Sequence, residues 1–157
     1  DLVDKKLACD QIVLSVGYDI ESLSPGSAYS GPVVKDHYGR EVPKPAHGSA
    51  NLKTPSSSTV DIIDAAAALF DRIIDPSLLV RRMYVVTNHT VAEDSVDGVQ
   101  LDLFEEPKKD AGRERRRQEA ILSIKRKFGK NAILKGLNFE EGATQVERNS
   151  QVGGHKA

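Results

Sequence analysis

The sequence predicts an α+β fold: an antiparallel β-sheet with helices packed on one face, followed by a basic helical C-terminal extension. Three observations carry that prediction. Residues 10–19, DQIVLSVGYD, alternate Ile12, Leu14 and Val16 with Gln11, Val13 and Ser15, the period of a half-buried strand. Residues 57–76, SSTVDIIDAAAALFDRIIDP, repeat apolar residues at helical spacing and stop at Pro76. Residues 78–91, LLVRRMYVVTNHTV, return to β-branched alternation.

Each element follows from its residues in turn. The opening, DLVDKKLACDQ, reads as the middle of an amphipathic helix with Leu2, Val3 and Leu7 apolar, so the chain is expected to be a piece of something longer. Residues 21–47 turn Gly-, Ser- and Pro-rich and predict a long excursion, a hairpin or an ordered loop. Residues 49–57 predict a short strand ending at Pro55. In the helix, Ser58 is the expected N-cap with Asp61 three residues on, and Ile62, Ile63, Ala66, Leu69, Phe70, Ile73 and Ile74 form the apolar face. In the strand that follows, Val80, Arg82, Tyr84 and Val86 point one way and Arg81, Met83, Val85 and Thr87 the other. A second helix is predicted over 111–128, with Ile121, Ile124 and Phe128 as its stripe and Gly129 as C-cap. A short strand over 132–139 and a loosely ordered polar tail over 140–157 complete the reading.

Bulk properties exclude several classes. Hydrophobic residues are 39% and charged residues 29% of 157, enough for one domain with a real core. There is no apolar run of membrane-helix length and no secretory signal pattern. A lone cysteine, Cys9, excludes an internal disulfide framework and fits a reducing compartment, so a cytoplasmic location without a membrane partner is expected. Net charge is −1, but residues 113–130 hold eight Lys or Arg against Glu114 and Glu119. That window carries +6 and leaves −7 on the remainder, a basic element on a mildly acidic body.

No catalytic constellation is legible. His37, His47, His89 and His155 are scattered, without the pairing that a metal site needs. Cys9 has no base beside it in sequence. The basic run, RERRRQEAILSIKRKFGKN, is either a solvated helix face or a phosphate-neutralising one, with Arg116, Lys125 and Lys127 as candidate contacts. Arg81 and Arg82 either protect an edge strand or help a sheet face track a nucleic-acid backbone, together with Lys53, Thr54, Ser56, Thr87 and Asn88.

Residues 98–107, GVQLDLFEEP, place two leucines and a phenylalanine in what reads as a linker. Gln100, Leu101, Asp102, Leu103 and Phe104 resemble the bacterial sliding-clamp-binding peptide at all five positions. An extended pentapeptide lays Leu103 and Phe104 into a partner's apolar pocket while Gln100 offers an amide to its rim. Burial supplies roughly 1.5–3 kcal/mol per side chain, less the cost of ordering a linker, for an affinity of about micromolar. The alternative is a short amphipathic strand whose leucines enter this domain's own core.

Around that peptide, ACDQIVLSVGYD, GSANLKTPSS, TVDIIDAAAALFDRIID and VRRMYVVTNHTVAEDSVDGVQLDLF resemble, in order, the C-terminal region of a Y-family translesion DNA polymerase, UmuC/DinB-like, of the Gram-positive UmuC branch. The RRRQEAILSIKRKFGKNAILKGLNF…GGHKA extension resembles the tail that closes such proteins. The resemblance implies a little-finger-like DNA-binding domain over 1–97, truncated at its N-terminus, a clamp-binding linker over 98–107, and a basic helix and polar tail over 108–157. It implies primer–template DNA, the sliding clamp, and the palm, fingers and thumb of the polymerase as partners, in DNA damage tolerance and the SOS response. By position it gives Arg81 and Arg82 as template-phosphate contacts and Asn51, Lys53, Thr54 and Ser56 as the DNA-facing strand. The family's catalytic carboxylates and their magnesium ions belong to the palm, whose sequence is not in this chain, so the chain itself is expected to need no cofactor and to be inactive as a polymerase. The rival reading is a non-enzymatic module that binds RNA or a protein through residues 111–130.

Overall fold

The computed structural model describes residues 2–96, 111–152 and 155–156, and the chain divides into two compact units, Asp1–Leu101 and Asp102–Ala157. The fold is mixed α+β with antiparallel sheets. The peptide of residues 100–104 lies outside the described residues.

The first unit is built around β1 (Leu7–Tyr18), flanked by β4 (Ala46–Ser56) and β5 (Val80–Asn88), both antiparallel to it. The short β6 (Val91–Ala92) pairs with the start of β1, Leu7 opposite Ala92. The opening helix is only α1 (Leu2–Lys5), because Lys6 takes a left-handed φ of 53° and redirects the chain. Leu7 therefore begins the strand instead of continuing a helix. The alternation read from the sequence holds: Ile12, Leu14, Val16 and Tyr18 are buried, while Gln11, Val13 and Ser15 point away.

The excursion contains a hairpin, β2 (Val33–Lys35) with β3 (Glu41–Pro43). Its base is held where Lys44 N–H donates to the Pro32 carbonyl at 2.8 Å. A 3-10 turn, Ile20–Leu23, ties the preceding segment to β5: Asp19 N–H donates to the Leu79 carbonyl, and the Ser22 hydroxyl accepts from Leu79 N–H. β4 runs through Pro55, contrary to the expected stop, because an edge strand tolerates the missing N–H.

α2 (Thr59–Ile73) lies over β4 and β1. Ser58 caps it, accepting from Asp61 N–H, and Ser56 extends the cap by donating its hydroxyl to Asp61 Oδ2. Small residues on β4, Ala46, Gly48 and Ala50, let the helix approach closely. A Cβ at Gly48 would stand 3.1 Å from both Leu69 and Ile73. The buried helix face holds Ile62, Ala65, Ala66, Leu69, Phe70, Ile73 and Ile74, whereas Ile63 is exposed. At the helix end the Tyr18 hydroxyl accepts from Asp75 N–H at 2.9 Å, locking β1 to the stop at Pro76.

The helix covers only part of the sheet. Met83 and Val85 sit opposite buried Val16 and Leu14 and share their face, yet are 55% and 50% exposed. β5 is thus open on both sides.

In the second unit α3 (Ala111–Phe128) matches its expected span and ends at Gly129 with φ 93°. Its half-buried apolar residues are Ile121 and Leu122, while Ile124 and Phe128 are exposed, so the expected stripe is rotated. The expected strand over 132–139 is instead a 3-10 turn, Gly136–Phe139. The tail, expected to be loose, forms α4 (Gln145–Asn149) and a pair of two-residue strands, β7 (Gln151–Val152) and β8 (His155–Lys156). Asn149 donates its amide to Asn131 Oδ1 at 2.6 Å and ties α4 to the turn after α3.

Candidate nucleic-acid interface

The sheet face turned away from α2 is the candidate site. Register fixes its members: Gln11 lies between Asn51 and Asn88, Val13 between Ser49 and Val86, Ser15 between His47 and Tyr84, and Gly17 opposite Arg82. Alternation along β4 brings Lys53 to the same side as Asn51. None of these positions carries a carboxylate.

The face is pre-ordered by its own hydrogen bonds. Asn88 donates to Gln11 Oε1 at 3.1 Å, and Gln11 donates to Asn51 Oδ1 at 2.9 Å, an amide chain across three strands. The Ser15 hydroxyl meets His47 Nδ1 at 2.7 Å. The Arg82 guanidinium stacks over the Tyr84 ring at 5.7 Å, an arrangement that fixes a planar cation. Amides, hydroxyls and a pinned arginine on a surface without acids suit phosphate oxygens and carry no base-reading pattern.

The remaining sequence candidates fall elsewhere. Thr87 pairs with Ile12 and shares its face, the one turned toward α2. Thr54 is exposed and alternates away from Lys53. Ser56 is engaged in the helix cap. Arg81 leaves β5 next to Arg82 and pairs with Asp19 at 2.7 Å. The Glu21 N–H first, and then Arg81, hold the Asp19 carboxyl below its ordinary range. Arg116, Lys125 and Lys127 lie on α3 in the other unit, with Arg116 and Lys127 exposed and Lys125 half-buried. The sequence reading put Tyr84 on the same side as Arg82 but named neither it nor His47 as a site residue. Their signal was present, since both fall in step with Ser15 once the strand register is known.

Among the described residues no cluster of His, Cys, Asp or Glu could hold a metal ion, and no helix is long and apolar enough to cross a membrane. Cys9 is buried, and burial raises its thiol pKa.

Two curated proteins are similar to the chain. UvrX of Bacillus subtilis (strain 168), named for UV-damage repair, is 31% identical over 113 residues, 71% of this chain and 25% of UvrX. DNA polymerase IV 2 of Halalkalibacterium halodurans is 28% identical over 117 residues, 73% of this chain and 26% of that protein. The chain therefore spans about a quarter of the length of the curated relatives it matches. No protein-family model matches the chain, and no solved structure does.

Proposed function

We propose, from the premise that this chain is a segment of a Y-family polymerase, that it grips primer–template DNA and tethers its polymerase to the sliding clamp during damage tolerance. The carboxylate-free sheet face is the observation that supports this reading most strongly. Asn51, Lys53 and Arg82 stand on it beside the Asn88–Gln11–Asn51 amide chain, so phosphates of a passing strand meet cations and N–H donors together. In this reading Arg116 and Lys127 add sequence-independent attraction from α3. Residues Gln100, Leu101, Asp102, Leu103 and Phe104 supply the clamp contact, and the nucleotidyl transfer belongs to parts of the polymerase outside this chain.

The test is an anisotropy titration of the full chain against primer–template DNA and against structured RNA of equal length at one salt concentration. The proposal expects tighter binding to the primer–template. Preference for the structured RNA, or binding to neither, would overturn it.

A further inference from the structure

We infer that the β2–β3 hairpin completes a phosphodiester clamp on the edge of the sheet, with Arg40 closing over a DNA backbone phosphate that Arg82 holds from the other side. The inference rests on the DNA-gripping reading and assigns a role to the 21–47 excursion within it.

A small cleft lies where the end of β1 and the start of β5 meet the hairpin, walled by Gly17, Arg82, Arg81, Arg40, Asp36 and Pro45. Three guanidinium groups thus line one depression. Two have their own carboxylates: Arg81 pairs with Asp19 at 2.7 Å and Arg40 with Asp36 at 2.6 Å. Arg82 makes no ion pair among the described residues, and it is the cation whose charge is left for a ligand.

Both clamp arginines are held in place before any ligand arrives. The Arg82 side chain lies across Gly17, where a Cβ would stand 3.1 Å from its Cγ, and its guanidinium stacks on Tyr84. Arg40 uses Nε and Nη2 on Asp36 Oδ2 and stacks over Tyr38 at 5.0 Å. Asp36 Oδ1 also accepts from Tyr38 N–H and Arg40 N–H, so the same carboxylate shapes the turn and aims the arginine. The remaining Nη1 edge of Arg40 is the one offered to a ligand. Arg40 reaches the strand end electrostatically as well, since it helps Glu21 N–H and Arg81 lower the Asp19 carboxyl. Two pinned planar forks lining one cleft suit a phosphate oxygen pair better than a lone cation would.

The test compares Asp36→Asn with Asp36→Asn/Arg40→Gln in the full chain, so that removing Arg40 does not leave an uncompensated carboxylate. Primer–template affinity is read by anisotropy over a range of salt, beside Arg82→Gln in the Asp36→Asn background and the triple combination. Circular dichroism melts check folding, and Lys35→Gln, on the same hairpin but outside the cleft lining, is the control. We expect Arg40→Gln to weaken binding about tenfold and to flatten the salt slope by about one. Since both arginines hold one phosphate, the triple variant should lose less than the product of the two losses. An unchanged affinity on Arg40→Gln while Arg82→Gln still weakens binding overturns the clamp and leaves the DNA-gripping reading standing. Equal losses from Lys35→Gln and Arg40→Gln also overturn it, as would strictly multiplicative losses. Absence of DNA binding by the unsubstituted full chain, titrated alongside, overturns both readings.

Discussion

The side chain of Arg82 lies flat across Gly17, so close that a Cβ there would stand 3.1 Å from Arg82 Cγ and 3.2 Å from Nε. The glycine sits where the β1–β5 register shifts, and the absence of a side chain lets a cation rest on the sheet. Gly17→Ala should therefore displace the arginine, a flexible group that yields cheaply. Expected are a melting temperature within a few degrees of wild type and a DNA affinity about threefold weaker, read by circular dichroism and anisotropy. A large loss of stability would show that Gly17 serves the backbone and not Arg82.

Gly48 makes the opposite case. Its open side faces Leu69 and Ile73, both 3.1 Å from where a Cβ would stand, and these belong to the packed core. Gly48→Val should lift α2 from β4 and cost about 1–3 kcal/mol in urea unfolding. A neutral result would mean that the helix moves off the strand freely.

Acid should loosen the hairpin by protonating Asp36. The Arg40 guanidinium first, and then the Arg40 and Tyr38 N–H groups, hold the Asp36 carboxyl below the ordinary aspartate value of about 3.9. A depressed carboxyl contributes stability that is present above the unfolded value and disappears as pH falls through the folded one. An NMR titration should therefore place the Asp36 midpoint below about 3.9, with amide protection of Tyr38 and Arg40 lost only beneath it. A midpoint at or above that value would dissolve the Asp36–Arg40 pairing.

The proposed clamp contact of residues 100–104 has its own test. Leu103→Ala/Phe104→Ala should abolish micromolar binding to a bacterial sliding clamp in an anisotropy titration while leaving circular dichroism unchanged. If the variant unfolds, or if neither protein binds the clamp, those side chains serve this chain's own core.

How far the sequence reads depends on what each element obeys. β1 was legible from Gln11 to Tyr18 because burial of one face enforces a period of two. Helix α2 was legible because Ser58 caps it, Pro76 stops it and its apolar face repeats. The turn at Lys6 was hidden, since Leu2, Val3 and Leu7 fit a helix and nothing marks a lysine for a left-handed φ. The reach of β4 past Pro55 depends on which strand lies at an edge, a fact of topology. The candidate face shows the same division. Asn51, Lys53 and Arg82 were named, and alternation along the strand already set Arg82 apart from Arg81 and Thr87, but the joining of Asn51 to Arg82 across β1 follows from register alone. Arg40 was silent because the excursion has no period, and only the folded hairpin brings it to Arg82.

The most direct test of the account asks which side of the sheet carries the DNA. Primer–template affinity should be measured across salt for Lys53→Gln/Arg82→Gln and for Met83→Ala/Thr87→Ala, which changes the opposite face of the same sheet. The account predicts at least a tenfold loss for the first pair, with the salt slope reduced by about two, and wild-type binding for the second. Wild-type affinity in the first pair, or the loss appearing in the second, would contradict it.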